Sequence, residues 1–147
     1  MSWKLKRFDD LTNRELHEIF RLRVNTFVVE QNCPYSEIDG KDPKSHHLLY
    51  QKNGKIIAYA RLLPPGVSYD EASIGRVVVA QAYRGTGLGY ELLEQAVKVS
   101  LAQYNQEIKI GAQAHLEKYY ASVGFVKVSE MYLEDDIPHI DMLRPFY

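Results

Sequence analysis

Residues 84–89, Arg84-Gly85-Thr86-Gly87-Leu88-Gly89, carry the strongest chemical signal in the chain. Glycines let backbone N–H groups come close to an anion, and a helix beginning behind them adds partial positive charge. Such a turn can cradle a pyrophosphate, with Arg84 adding a formal charge beside it. It is not a nucleotide P-loop, because the Gly-Lys-Ser/Thr ending is missing. It also fails the dinucleotide fingerprint, because Tyr90 stands where the third glycine would fall. Taken alone, these glycines serve equally well as a tight turn between a strand and a helix.

Proton-transfer chemistry needs acids and bases. By residue type Glu30, Glu37, Asp39, His46, His47, His115 and His139 are candidate bases, whereas any one of the 11 tyrosines reads by itself as a packing residue with its hydroxyl near water. Glu30 ranks first among the bases, because it ends a predicted helix on the side where an acceptor would lie; otherwise it is a solvated helix-end carboxylate. His46 and His47, adjacent in a predicted strand, point to opposite faces, so at most one reaches a cleft. Cys33 is the only cysteine, which rules out an intramolecular disulfide and a multi-cysteine zinc site. Beside Pro34 and without a neighbouring base, it reads as a packing residue rather than a nucleophile. The histidines lack ligand spacing, so no metal site is expected.

The elements that must position these groups follow from periodicity. Thr12 and Glu15 have the spacing of a capping box, and Leu16, Ile19, Phe20, Val24, Phe27 and Val28 recur at helical intervals, predicting a helix over 13–30. Trp3 to Phe8 alternates as a strand. From Gln31 to Lys44 turn formers predict a long loop. Residues 47–50 and 56–60 flank Asn53-Gly54 as an antiparallel hairpin. Ser73 to Val79 is a β-branched strand leading into the glycine turn, and Leu88 to Leu101 a second long helix. A short strand over 107–111, a short helix over 116–123 ending at Gly124, and strands over 125–132 and 139–143 complete a mixed α/β order.

The chain has 147 residues, 46% hydrophobic and 25% charged, with a formal net charge of -1. That suits a single globular domain spanning 1–147 with its own core. No Lys/Arg cluster supplies a nucleic-acid surface, and no apolar run could span a bilayer. A cytoplasmic protein is expected, with neither nucleic acid nor membrane as partner. Glu37, Asp39 and Asp42 in the loop, and Glu130, Glu134, Asp135, Asp136 and Asp141 near the end, form two acidic clusters. Such clusters ordinarily sit in solvent; on the acceptor side of a site they would attract a cationic amine.

The segments around the glycine turn resemble a known family. Gly75-Arg76-Val77-Val78-Val79, Tyr83 to Gly89 and a helix opening with Leu92-Leu93-Glu94 are similar to the acetyl-CoA motif of the GNAT acetyltransferase superfamily. Tyr119 to Phe125 resembles that family's helix bearing a tyrosine four residues before a Gly-Phe pair. Residues 23–31, 111–116 and 134–140 resemble its ElaA-like branch. Residues 23–31 also faintly resemble acyl-homoserine-lactone synthases, for which this chain is short.

The resemblance implies a mostly antiparallel central sheet flanked by helices, its strands splayed at the acetyl-CoA site. Backbone groups of Val77, Val78 and Val79 would pair with pantetheine, and the amides of Arg84, Gly85, Thr86, Gly87, Leu88 and Gly89 would hold the pyrophosphate. Tyr120 matches the family's tyrosine near the sulfur and would protonate the leaving thiolate. Gln113 stands where many relatives have Asn. The implied activity is direct acetyl transfer from acetyl-CoA, without metal, to a primary amine of a small molecule or peptide. A non-catalytic acyl-CoA-binding or sensing module is the alternative.

Overall fold

The helix start at Thr12 forms as its spacing predicts. Thr12 Oγ1 accepts from the Glu15 amide at 3.0 Å while the Glu15 carboxylate accepts from the Thr12 amide at 2.9 Å, satisfying two donors that a helix end leaves without partners. In the computed structural model, which describes residues 3–146, this helix runs as α1 (Asn13–Arg23) and continues as a π-helical segment (Val24–Glu30). The expected span is right; the widening into π geometry is new. Such segments concentrate at functional sites.

Two sheets make up the rest of the frame. β1 (Trp3–Arg7), β2 (His46–Lys52), β3 (Lys55–Leu63) and β4 (Ser73–Val79) lie antiparallel in that order. Asn53 and Gly54, at φ 52° and 76°, close the β2–β3 hairpin, as the dipeptide predicts. β5 (Ile108–Gln113) pairs with β8 (Ile137–Arg144), whose other edge takes β6 (Val126–Lys127) and β7 (Tyr132–Glu134). Helices α2 (Leu88–Tyr104) and α3 (Glu117–Ala121) follow β4 and β5.

The strand expected over 125–132 is broken in two. Ser129 Oγ accepts the Asp141 amide at 2.8 Å, so a side chain replaces a ladder partner and pairing stops between β6 and β7. Asp135 and Asp136 then turn the β7–β8 hairpin with φ 50° and 61°, a geometry more often given to Asn-Gly.

Each face of the first sheet has its own helix. Leu92, Ala96 and Val97 of α2 pack on Leu48, Ala60 and Leu62 and, across to the second sheet, on Ile110, Ala112, Ile140 and Met142. Ile19 and Leu22 of α1 cover Leu49, Ile56, Tyr59 and Val78 on the opposite face. The architecture is the expected mixed, antiparallel α/β arrangement flanked by helices.

The long loop after the π-helical segment is pinned by buried charge, and here the solvated reading of its carboxylates fails. Arg23 is fully buried, with Asp42 at 2%, Arg61 at 3% and Glu37 at 4% exposure. Arg23 donates to Asp42 at 2.7 Å and to Glu37, Arg61 grips both oxygens of Asp39 at 2.9 Å, and Arg76 reaches Glu37 at 3.0 Å and Asp39 at 3.3 Å. Every buried charge in this cluster has an opposite partner, without which its burial would cost several kcal/mol per ion. Burial opposes the Arg23 charge, but Asp42, Tyr59 and Glu37 outweigh it and raise its pKa. His47 belongs to the same cluster. Its Nε2 donates to the Asp42 carbonyl at 3.0 Å, so its Nδ1 accepts from the Tyr59 hydroxyl at 2.6 Å.

Candidate functional site

β4 and β5 touch at one end only. Ala72 and Ile108 form a parallel bridge, and the Lys109 amide donates to the Ala72 carbonyl at 2.9 Å. Beyond that point β4 is the outer strand of one sheet and β5 of the other, and a cleft of about 440 Å³ opens between them. β4 contributes Ile74 to Val79, β5 Ile110, Gly111 and Gln113, and the π-helical segment Thr26, Phe27 and Glu30. Tyr35, Tyr120, Glu134, Asp135 and His139 complete its polar lining with Gln31, Arg84 and His115.

A bulge shapes the β4 wall. Arg61 pairs with Gly75 and Tyr59 with Val78, so Arg76 and Val77 together oppose Ala60. Arg76 takes φ 53°, an unfavourable region for a side-chain-bearing residue, and its ion pairs to Glu37 and Asp39 hold it there. Val78 turns into the core under α1, while Val77 and Val79 pack toward α2. The cleft-side edge of Val77 to Val79 carries no strand partner among the described residues.

The glycine turn closes the end of this edge. Gly85 and Gly87 have φ 79° and 88°, and Gly87 is the N-cap of α2 with no side chain capping it. A Cβ added to either would meet nothing within 4 Å, so the space in front of these amides is open. This arrangement fits a phosphate at a helix N-terminus. The Arg84 side chain is engaged elsewhere: Nε donates to the Val79 carbonyl at 3.1 Å and Nη1 to Glu30 at 2.6 Å. Thr86 locks the turn by donating to the Tyr83 carbonyl at 2.6 Å.

The structure separates the two adjacent tyrosines. Tyr119 donates to the Gly89 carbonyl at 2.6 Å and packs edge-on against Tyr90. Tyr120 lines the cleft, wedged edge-on between Tyr119 and Phe125, and burial pushes its phenol up to about 12. Gln113 also lines the cleft, donating to Gln31 across it at 3.4 Å.

The candidate bases scatter. Glu37 and Asp39 belong to the buried cluster, and His47 is wholly internal. His46 bonds Tyr104 of α2 at 2.8 Å and does not line the cleft. Glu30 lines the cleft but pairs with Arg84, and a second cavity of about 760 Å³, bordered by Arg21, Lys52 and Lys55, lies on the other side of that pair. His115 and His139 both reach the cleft. Sequence reasoning missed the Arg76 bulge and the charge cluster behind it. Cys33 sits at the rim with Sγ 4.0 Å from the Asp135 carbonyl. Among the described residues no group of three or more His, Cys, Asp and Glu comes together as a metal site, and no helix is long and apolar enough to cross a membrane.

Residues 10–144 match the acetyltransferase (GNAT) domain family. Protein ElaA of Escherichia coli is 40% identical over 147 residues, covering 98% of this chain and 96% of that one. Its crystal structure superposes with a TM-score of 0.89 at 39% identity, over 98% of this chain and 99% of that one. An acyl-CoA N-acyltransferase from Pseudomonas aeruginosa superposes at 0.91 with 46% identity, over 98% and 99% of the two chains. The acyl-homoserine-lactone synthase LasI shares the fold, at 0.81 and 14% identity over 99% of this chain and 90% of that one. With the family match over most of the chain and relatives of about 40% identity covered nearly end to end, the chain belongs to the GNAT acetyltransferase family, among relatives of ElaA.

Proposed function

We propose that this protein is an N-acetyltransferase that moves the acetyl group of acetyl-CoA to a primary amine of a small molecule or peptide by direct attack on the thioester. One observation carries the reading. One cleft brings together an unpaired strand edge, Arg84 at the entrance to the glycine turn that leads into the uncapped start of α2, and a half-buried phenol whose hydroxyl has no protein partner among the described residues.

These pieces match the parts of a CoA thioester in order. Val77 to Val79 offer main-chain groups to the pantetheine amides, with Gln113 facing them, and the amides of Arg84 to Gly89 receive the pyrophosphate. A main-chain N–H near Val78 stabilises the oxyanion as the amine attacks. Tyr120 protonates the departing thiolate, whose ordinary pKa of about 8.5 lies well below that of the phenol, so the transfer is coupled to cleavage of the C–S bond rather than completed afterwards. We take the compartment to be the cytoplasm, where thiols such as Cys33 stay reduced.

The test is to offer acetyl-CoA with a panel of alkylamines, polyamines and peptides and to follow thiol release together with amide formation by mass spectrometry. Release that depends on one of these amines is the expected result. Saturable acetyl-CoA binding without transfer to any acceptor would make the chain a non-catalytic acyl-CoA-binding module instead.

A further inference from the structure

We propose that His139 is the general base of the cleft, taking the proton of the acceptor's ammonium group, with Glu134 beside it to hold the imidazolium that forms. The inference rests on the acyltransferase reading above and adds the group that prepares the nucleophile. Among the candidate bases, Glu30 is held by Arg84, Glu37 and Asp39 by the buried arginines, and His46 and His47 by tyrosines. His115 is exposed, and among the described residues no hydrogen bond or ion pair orients its ring.

His139 differs in three respects. Its Nδ1 lies 2.7 Å from the Ile137 carbonyl, which can only accept, so Nδ1 carries the hydrogen and the neutral ring keeps its lone pair on Nε2. That same Nε2 is 3.5 Å from Glu134 Oε2, so a proton gained there meets a carboxylate. The ring is 8% exposed and lines the cleft that holds Tyr120. Its surroundings fix it in place. Tyr132 of β7 stacks on it with centroids 6.1 Å apart, Gln113 of β5 is its cross-strand partner, and Asp141, two residues along β8, accepts from the Tyr132 hydroxyl at 2.6 Å. A hydrogen bond at the non-reacting nitrogen is how the tautomer of a histidine base is fixed, and the nearby Glu134 charge favours the protonated ring.

The protons balance. The ammonium gives one proton to His139 Nε2, and its freed lone pair forms the C–N bond at the thioester carbonyl. The C–S bond breaks and the thiolate takes the Tyr120 proton. The second proton lost from the new amide nitrogen restores the phenol, and His139 releases its own to solvent.

The test compares wild type, His139→Asn and His139→Ala with an alkylamine, protonated in neutral water, and an aromatic amine, which is not. Asn keeps a donor for the Ile137 carbonyl while removing the basic nitrogen. We expect His139→Asn to bind acetyl-CoA within severalfold of wild type and to lose roughly 100-fold or more in kcat with the alkylamine. The loss shrinks to severalfold with the aromatic amine, and added imidazole restores part of the His139→Ala rate. Wild-type turnover of the alkylamine by His139→Asn overturns the proposal, as does an equal loss with both amines and no imidazole rescue. Should the His139 variants not fold, Glu134→Gln decides: a loss confined to the alkylamine supports the base, and none overturns it. A wild type inactive with every amine overturns the acyltransferase reading itself, and this role with it.

Discussion

Glu30 and Arg84 meet at 2.6 Å, and the pair stands between the cleft and the larger cavity behind it. A carboxylate this close to the proposed pyrophosphate turn would repel the ligand and occupies a guanidinium that could otherwise reach it. Glu30→Gln is therefore expected to tighten acetyl-CoA binding severalfold, with a steeper salt dependence, as measured by calorimetry. Both side chains are about two-fifths exposed, so the change in melting stability stays within roughly 1 kcal/mol.

The two tyrosines of α3 are expected to separate by function. Tyr120→Phe removes the proposed acid and should lower kcat about 100-fold while leaving acetyl-CoA affinity within severalfold. Tyr119→Phe loses only the bond to the Gly89 carbonyl, and should cost about 1 kcal/mol of stability with kcat preserved within severalfold. Steady-state kinetics and thermal melts on the two variants distinguish them. The reverse pattern would exchange the assignments.

Gly87 is the glycine whose replacement is costly twice over. At φ 88° a side chain strains the backbone by about 1–2 kcal/mol, and a branched one fills the open space before the α2 amides. Gly87→Val should weaken acetyl-CoA binding at least tenfold. Unchanged affinity would take the pyrophosphate away from this turn.

Much of this frame was legible because its signals are local. The Thr12–Glu15 box, the Asn53-Gly54 hairpin, Ser73 to Val79 and the Arg84–Gly89 turn each lie within a few residues of chain. What was not legible depends on partners far apart: Arg23 meets Glu37 across 14 positions, Arg61 meets Asp39 across 22, and Arg76 meets Glu37 across 39. No spacing rule pairs such residues, so carboxylates among turn formers read as solvated. The Arg76 bulge was hidden for a related reason. An extra residue in a strand is defined by its partner strand, and the run from Ile74 to Val79 looks uninterrupted by itself.

The buried cluster should dominate stability. Arg23→Met leaves Glu37 and Asp42 with reduced compensation and is expected to cost about 3–5 kcal/mol, measured by denaturant unfolding. Because Tyr35 lines the cleft and contacts both Glu37 and Arg76, the same variant should loosen that side of the cleft and raise KM for the amine.

Acid should undo this cluster in a defined window. Burial alone would raise the Asp39 carboxyl, but its bond to Arg61, the Lys41 amide and the nearby guanidinium charges hold it at about 2, below its ordinary 3.8. Its contribution is full above 3.8 and is lost as pH falls toward 2. Burial also lowers the His47 pKa below 6.5, so the unfolded chain binds that proton first and stability already declines as pH drops below 6.5. Melting temperature against pH should fall in both ranges, and Asp39→Asn should flatten the lower one.

The Ala72–Ile108 bridge gives the cleft the mechanics of a lever. The seven residues of β4 beyond it span roughly 23 Å, so a small displacement at this short fulcrum is magnified at the far end of the strand. Ala72 has no exposed surface and does not line the cleft, yet enlarging it would change how far Val79 stands from the opposite wall. The width of the cleft is thus set in part by the size of a methyl group at the opposite end of the strand.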